Sequence, residues 1–138
     1  MKVLRDEVRQ VIDGMAVFPV ATASREGVPN VVPMTFVKVL DDDTILLADN
    51  FMHKSRANIE ENPVVGIAVW DMQTKRAYQL KATAEIVESG DVLDQTVEWV
   101  HKAMPEVKTK AAVVLKVRNV FVCHPGPDHG RDIAEPQS

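Results

Sequence analysis

Apolar residues at Val3, Leu4, Val8, Val11, Ile12 and Met15 recur at the spacing of one helix face, and Gly14 supplies a stop, so the chain is expected to open with an amphipathic helix packed on a core. From Met15 to Ser24 the pattern changes to a run rich in Val and Ala. It is interrupted by the turn signal Arg25-Glu26-Gly27-Val28-Pro29-Asn30 and resumes from Val31 to Leu40, which predicts a β-hairpin. Asp41-Asp42-Asp43 is a polar connection, and Thr44-Ile45-Leu46-Leu47-Ala48 returns as a third strand. A short polar helix around Lys54 follows and ends at Asn62-Pro63.

Val64 to Trp70 is a nearly continuous apolar run of strand length, and Arg76 to Val87 alternates. The alternation sets Tyr78, Leu80, Ala82, Ala84 and Ile86 on one face, the pattern of a sheet with one buried side. Between Asp91 and Met104, Val92, Leu93, Val97, Val100 and Met104 stand at helical intervals, with Ser89-Gly90-Asp91 as a start and Pro105 as a stop. A last strand is expected from Ala111 to Cys123. Past Pro125 periodicity ceases and the chain runs on into polar residues, the final ones of which are expected to be loose.

The order is thus helix, three strands, helix, two strands, helix, strand. It lacks the βαβα alternation of a doubly wound parallel sheet. The expected fold is mainly β with flanking helices, an antiparallel barrel whose closure removes exposed strand edges. One domain over residues 1–124 carries a polar tail over 125–138.

Composition narrows the function. A chain of 138 residues, 46% of them hydrophobic, is the size of one domain with a substantial core. Sixteen Lys and Arg are scattered among 20 Asp and Glu, for a net charge of -4, so no basic stripe is available to steer nucleic acid. No apolar run approaches the roughly 20 residues that cross a bilayer, and the charged segment Met1 to Glu7 has no signal-peptide core, so a cytoplasmic protein without membrane contact is expected. The single cysteine, Cys123, excludes an internal disulfide and fits a reducing compartment.

Candidate chemistry concentrates where the third strand meets the polar helix, in Ala48-Asp49-Asn50-Phe51-Met52-His53-Lys54-Ser55-Arg56-Ala57-Asn58. A helix start offers unpaired N–H donors and the positive end of the helix dipole, which suits a phosphate. Lys54 and Asn58, four residues apart, share one face, while Arg56 and Glu60 share another and can pair with each other. A plainer reading fits the same residues: Asp49 or Asn50 caps a surface helix, with Lys54 solvated and Arg56–Glu60 a weak surface pair.

The remaining polar candidates add less. His101 falls on the outer side of the second amphipathic helix. Cys123, His124 and His129 supply at most three ligands at a spacing that matches no closed zinc site, so no metal is expected. Trp70, Trp99 and Tyr78 are read as core or interface residues before ligand-stacking ones.

From Val3 to Val122 the order of elements, together with Phe51-Met52-His53-Lys54-Ser55-Arg56-Ala57-Asn58-Ile59-Glu60-Glu61-Asn62-Pro63-Val64, resembles the pyridoxamine 5′-phosphate oxidase-like family, the FMN-binding split β-barrel. The run is similar to the His-Lys…Asn-(x)n-Asn-Pro signature that follows the third strand in small flavin-binding members. Tyr78 to Val87 is a second match, with Ala82 where the family usually has glycine.

The resemblance implies a homodimer holding FMN in clefts at the subunit interface. It gives Lys54 and Ser55 the terminal phosphate, Asn58 a place buttressing the helix start or the ribityl chain, and Asp49 and Asn50 the lining of the approach. His53 would contact the phosphate or the ring, and backbone groups of Val32, Pro33, Met34 and Thr35 would face the isoalloxazine. Pro33 suits that place, because a residue without an N–H belongs at a strand edge, end or bulge where a ligand can lie. Trp99 is the better candidate of the two indoles for a dimer contact, and the tail could reach the flavin of the other subunit.

The implied activity is that of an FMN-binding flavoprotein, an oxidoreductase acting on a small molecule or an electron carrier. The alternatives are a non-catalytic FMN-binding or electron-transfer protein, or a barrel holding deazaflavin or heme, as relatives of this fold do. Pyridoxamine phosphate oxidation itself is not expected: Asn30-Val31-Val32-Pro33-Met34 carries no cation, and the C-terminal substrate segment has no clear counterpart.

Overall fold

The computed structural model describes residues 2–134. The elements are α1 (Asp6–Asp13), β1 (Phe18–Ala23), β2 (Pro29–Met34), β3 (Val37–Val39), β4 (Thr44–Asp49), α2 (Lys54–Glu61), β5 (Val64–Trp70), β6 (Ala77–Val87), α3 (Asp91–Ala103) and β7 (Ala111–Val122). The strands form one sheet in the order β2-β1-β5-β6-β7-β4-β3, and every named pair is antiparallel.

The β-rich run from Val31 to Leu40 is two strands and not one. β1 begins at Phe18, opposite Met34, so β2 has no partner beyond that point. Two residues later the chain changes partner: Phe36 O accepts from Ala48 N at 3.2 Å, and Val37 pairs with Leu47. β2 and β3 are therefore joined by Thr35 and Phe36 yet lie at opposite ends of the strand order. A two-residue link between the two ends requires the sheet to curl on itself, which makes it an open half-barrel with three flanking helices. Pro33 lies opposite Pro19 on the edge strand β2, where its missing N–H removes no bond to a further neighbour.

The curled sheet encloses one core. Phe18, Val20, Ile45, Leu47, Leu80 and Leu115 are almost wholly buried, and Leu4 with Val8, Val11 and Ile12 of α1 plugs the same cluster. Tyr78, Leu80 and Ala82 point inward from β6 as the alternation requires, while Gln79 and Lys81 face out. The β1–β2 hairpin turns at Gly27, whose φ of 86° is open to glycine at no steric cost. Trp70 does not enter the core: it is 42% exposed at the end of β5.

The residues just after β7 pack back on the sheet. β4 pairs with β7 only from Ala111 to Lys116, which leaves the far half of β7 open on that side. Residues 130–133 occupy the gap, with Gly130 N donating to Val122 O at 2.7 Å, Val122 N to Arg131 O at 2.9 Å and Ile133 N to Val120 O at 2.8 Å. Ile133 and Ala134 are then buried in the core. No repeating pattern marks this segment, because it pairs with β7 through a single bridge, Phe121 to Asp132, and backbone hydrogen bonds, and contributes only two apolar residues to the core. The part of the tail from 135 to 138 lies outside the described residues.

Candidate functional site

The end of β4 and the start of α2 are locked together by Asp49. Its side chain has no exposed surface; Oδ1 accepts from Met52 N at 3.1 Å and Oδ2 accepts from Arg56 Nη1 at 2.9 Å. Arg56 also reaches Glu60 Oε1 at 3.1 Å and Glu88 Oε1 at 3.0 Å. The hydrogen bond to Asp49, and after it the one to Glu60, holds the Arg56 guanidinium still more firmly protonated than usual. Its charge is committed inside the protein. Asp49, expected to line the approach to a ligand, is buried with both carboxylate oxygens engaged and is not among the residues that line the cleft.

The simple capping account of this segment fails on the geometry. His53 occupies the N-cap position of α2, and no side chain caps the helix. The first helical bond is Ala57 N to His53 O at 3.0 Å. Asn50 is used elsewhere, accepting from Thr109 Oγ1 at 2.8 Å. The N–H groups of the first turn thus remain available at the positive end of the helix.

That helix start opens into a cleft of about 590 Å³. One wall is the run from Asn30 to Phe36, which includes β2 and the link to β3; the other is Ala48 with Asn50 to Ser55. Val32, Pro33, Met34, Thr35, Asn50, His53, Lys54 and Ser55 are all in the lining. Among the described residues Lys54 is the only Lys or Arg there, no Asp or Glu lines the cleft, and none of the ion pairs involves Lys54. The site therefore presents one free cation, a hydroxyl and a helix start, with no carboxylate opposing an anion.

Asn58 lies behind the lining, where its Nδ2 donates to Thr22 Oγ1 at 3.0 Å. Sequence reading missed Asn30, Val31, Phe36, Ala48, Phe51 and Met52 as lining residues. Asn30 had a legible signal, since a hairpin turning around Gly27 brings it opposite Thr22. Phe36 did not, because its position depends on the change of strand partner. Behind it stands Trp99 of α3, edge-on with ring centroids 5.4 Å apart, and Lys38 Nζ lies 4.4 Å from the centre of the Trp99 ring.

The other polar candidates lie away from the cleft. His101 is exposed. Cys123 is exposed and unpaired, His124 Nδ1 contacts the backbone of Ala77, and His129 Nδ1 contacts His124 O. Among the described residues no group of three or more His, Cys, Asp or Glu is arranged to hold a metal ion, and no helix is long and apolar enough to cross a membrane.

Comparison with known proteins agrees with the fold. The family model described as "Pyridoxamine 5'-phosphate oxidase" matches residues 4–124. The uncharacterized protein MJ0282 of Methanocaldococcus jannaschii is 42% identical over 135 residues, covering 96% of this chain and 89% of the relative. The crystal structure of HupZ from Group A Streptococcus is similar with a TM-score of 0.79 at 28% identity, covering 91% of this chain and 98% of that one. An FMN-binding protein from Syntrophomonas wolfei shares the fold with a TM-score of 0.75 at 17% identity, covering 86% of this chain and 84% of that one.

Proposed function

This chain belongs to the pyridoxamine 5′-phosphate oxidase family, and from that premise we propose that it is an FMN-binding flavoprotein, an oxidoreductase acting on a small molecule or an electron carrier. The observation that carries the reading is the cleft between the β2–β3 link and the start of α2, with Lys54 and Ser55 at an uncapped helix start. A phosphate monoester fits that donor set: Lys54 supplies a point charge, Ser55 a hydroxyl and the first turn its N–H groups. The adjoining wall of Val32, Pro33, Met34 and Thr35 is narrow and largely apolar, suited to one edge of a flat ring. When bound, FMN supplies the redox chemistry, and the protein supplies binding, orientation and the electronic surroundings.

His53 and Lys54 are the only titratable side chains in the lining among the described residues. The reaction proposed is accordingly hydride or electron transfer that requires no protein carboxylate as base. Among the described residues the lining has no second Lys or Arg to meet another phosphorylated molecule, so pyridoxamine phosphate is not the substrate proposed. A homodimer is part of the same reading. Val31 and Phe51 stand at the cleft 65% and 71% exposed, and Val64 and Trp70 extend the apolar surface along β5. The unpaired, exposed Cys123 suits a reducing cytoplasm.

The purified protein is expected to be yellow, or to take up FMN on reconstitution with a flavin absorption spectrum. A heme or deazaflavin spectrum, or no FMN uptake, would overturn the assignment. Reduction of the bound flavin by NADH or NADPH without oxygen separates an oxidoreductase from a carrier; failure with both donors favours the carrier.

A further inference from the structure

Asn30 of β2 faces Thr22 of β1 directly across the ladder. Its Nδ2 contacts Thr22 Oγ1 at 3.3 Å and Ser55 Oγ at 3.2 Å, which uses both amide hydrogens. Thr22 Oγ1 accepts a second bond from Asn58 Nδ2 at 3.0 Å. Thr22 and Ser55 are only 4% and 3% exposed. All three bonds run from an amide N–H to a hydroxyl oxygen. Ser55 Oγ is thus an acceptor toward the interior, and its own proton must be given to something else.

We propose that Asn30, held in place by Thr22 and Asn58, is a positioning residue that sets the Ser55 hydroxyl as a donor toward a phosphate monoester at the start of α2. A phosphate has only acceptor oxygens, so a serine free to rotate must reorganise before it can donate to one. A serine whose lone pair already accepts from Asn30 Nδ2 is preorganised for that bond, and preorganised donors avoid the cost of reordering on binding. The ladder register fixes Asn30 relative to Thr22, and Asn58 couples the pair to the helix that carries Ser55. The role rests on the FMN reading for the identity of the ligand, but the direction of the hydrogen bonds is independent of it.

The test compares FMN with riboflavin, which lacks the phosphate, by flavin-fluorescence titration of the wild type, Asn30→Ala, Ser55→Ala and the double variant. Asn30→Ala is expected to weaken FMN about tenfold, the size of one hydrogen bond, and to leave riboflavin within about twofold. The double variant should bind FMN no more than about threefold weaker than Ser55→Ala, because Asn30 acts through Ser55. Equal losses for both flavins, or losses that multiply in the double variant, would overturn the proposal. Thr22→Val, which keeps the side-chain shape, replaces Asn30→Ala if that variant does not fold.

A wild type that binds neither flavin sinks the FMN reading alone. The relay is then read with inorganic phosphate, from the amide NMR shift of Ser55. A wild-type shift that Asn30→Ala abolishes supports it; a shift unchanged in the variant, or none in the wild type, overturns it.

Discussion

Arg56 Nη1 lies 2.9 Å from Oδ2 of Asp49, and this pair joins the last residue of β4 to the first turn of α2. Asp49 is wholly buried while Arg56 keeps some exposure, so the arginine is what makes an interior carboxylate tolerable. The same guanidinium extends to Glu60 and Glu88, tying α2 to the segment that follows β6. The helix start that faces the cleft is therefore fixed from behind by a network that takes no part in holding a ligand.

Removing the cation should be costly. Arg56→Ala leaves the Asp49 carboxylate buried with no cation to pair it and is expected to lower unfolding stability by about 3 kcal/mol. Arg56→Lys keeps one charge contact but loses the fork that reaches three carboxylates, and should fall between the two. Urea denaturation of the three proteins checks the order, and an alanine variant as stable as the wild type would remove the pair from the account of this corner.

Lys54 makes the opposite kind of contribution. It is exposed and joins no ion pair among the described residues, so Lys54→Ala should leave folding stability within about 0.5 kcal/mol. FMN binding should weaken by about 1.5–3 kcal/mol, the range for a charge-assisted hydrogen bond. Fluorescence titration alongside urea denaturation reads both quantities, and unchanged affinity would place the phosphate elsewhere.

Those two cations show what was legible in the sequence. The spacing of Arg56 from Glu60 made their pairing legible, because helical neighbours follow from chain position alone, whereas the bond from Asn58 Nδ2 to Thr22 Oγ1 depends on how α2 packs on β1. The burial of Asp49 was not legible, because it depends on how β4 enters the core, which no local pattern reports. The split of the Val31–Leu40 run escaped for a related reason: both halves are β-forming, and only the tertiary exchange of partner at Phe36 divides them. The docked tail escaped because two apolar residues carry no period.

Trp99 offers a probe of the far wall. Its ring meets Phe36, a lining residue, and carries Lys38 over its face, so Trp99→Ala forfeits an aromatic pair and a cation–π contact. Together these are worth about 2 kcal/mol. Trp99→Phe, which keeps an aromatic ring against Phe36, should recover roughly half of the loss. Thermal unfolding of both variants distinguishes this from a surface tryptophan, for which neither substitution would register.

Asp132 supplies a dependence on pH. Burial pushes its carboxyl up, but hydrogen bonds from Asn119 Nδ2 at 2.8 Å, Val120 N at 3.1 Å and Ala134 N at 3.0 Å outweigh that and leave it below the usual carboxylate range. A carboxyl whose pKa is lower in the folded than in the unfolded chain adds its full stability above the unfolded value, about 4, and loses it as pH falls through the folded value. Asp132→Asn is therefore expected to cost about 2 kcal/mol at neutral pH, the scale of hydrogen bonds to a charged group. The gap between variant and wild type should close as the pH is lowered through about 4 toward 2. Denaturant titrations across that range measure it, with hydrogen exchange at the Val120 amide as a local check on the docked segment. A gap that stays constant with pH would mean that the charge of Asp132 does not help to hold residues 130–134.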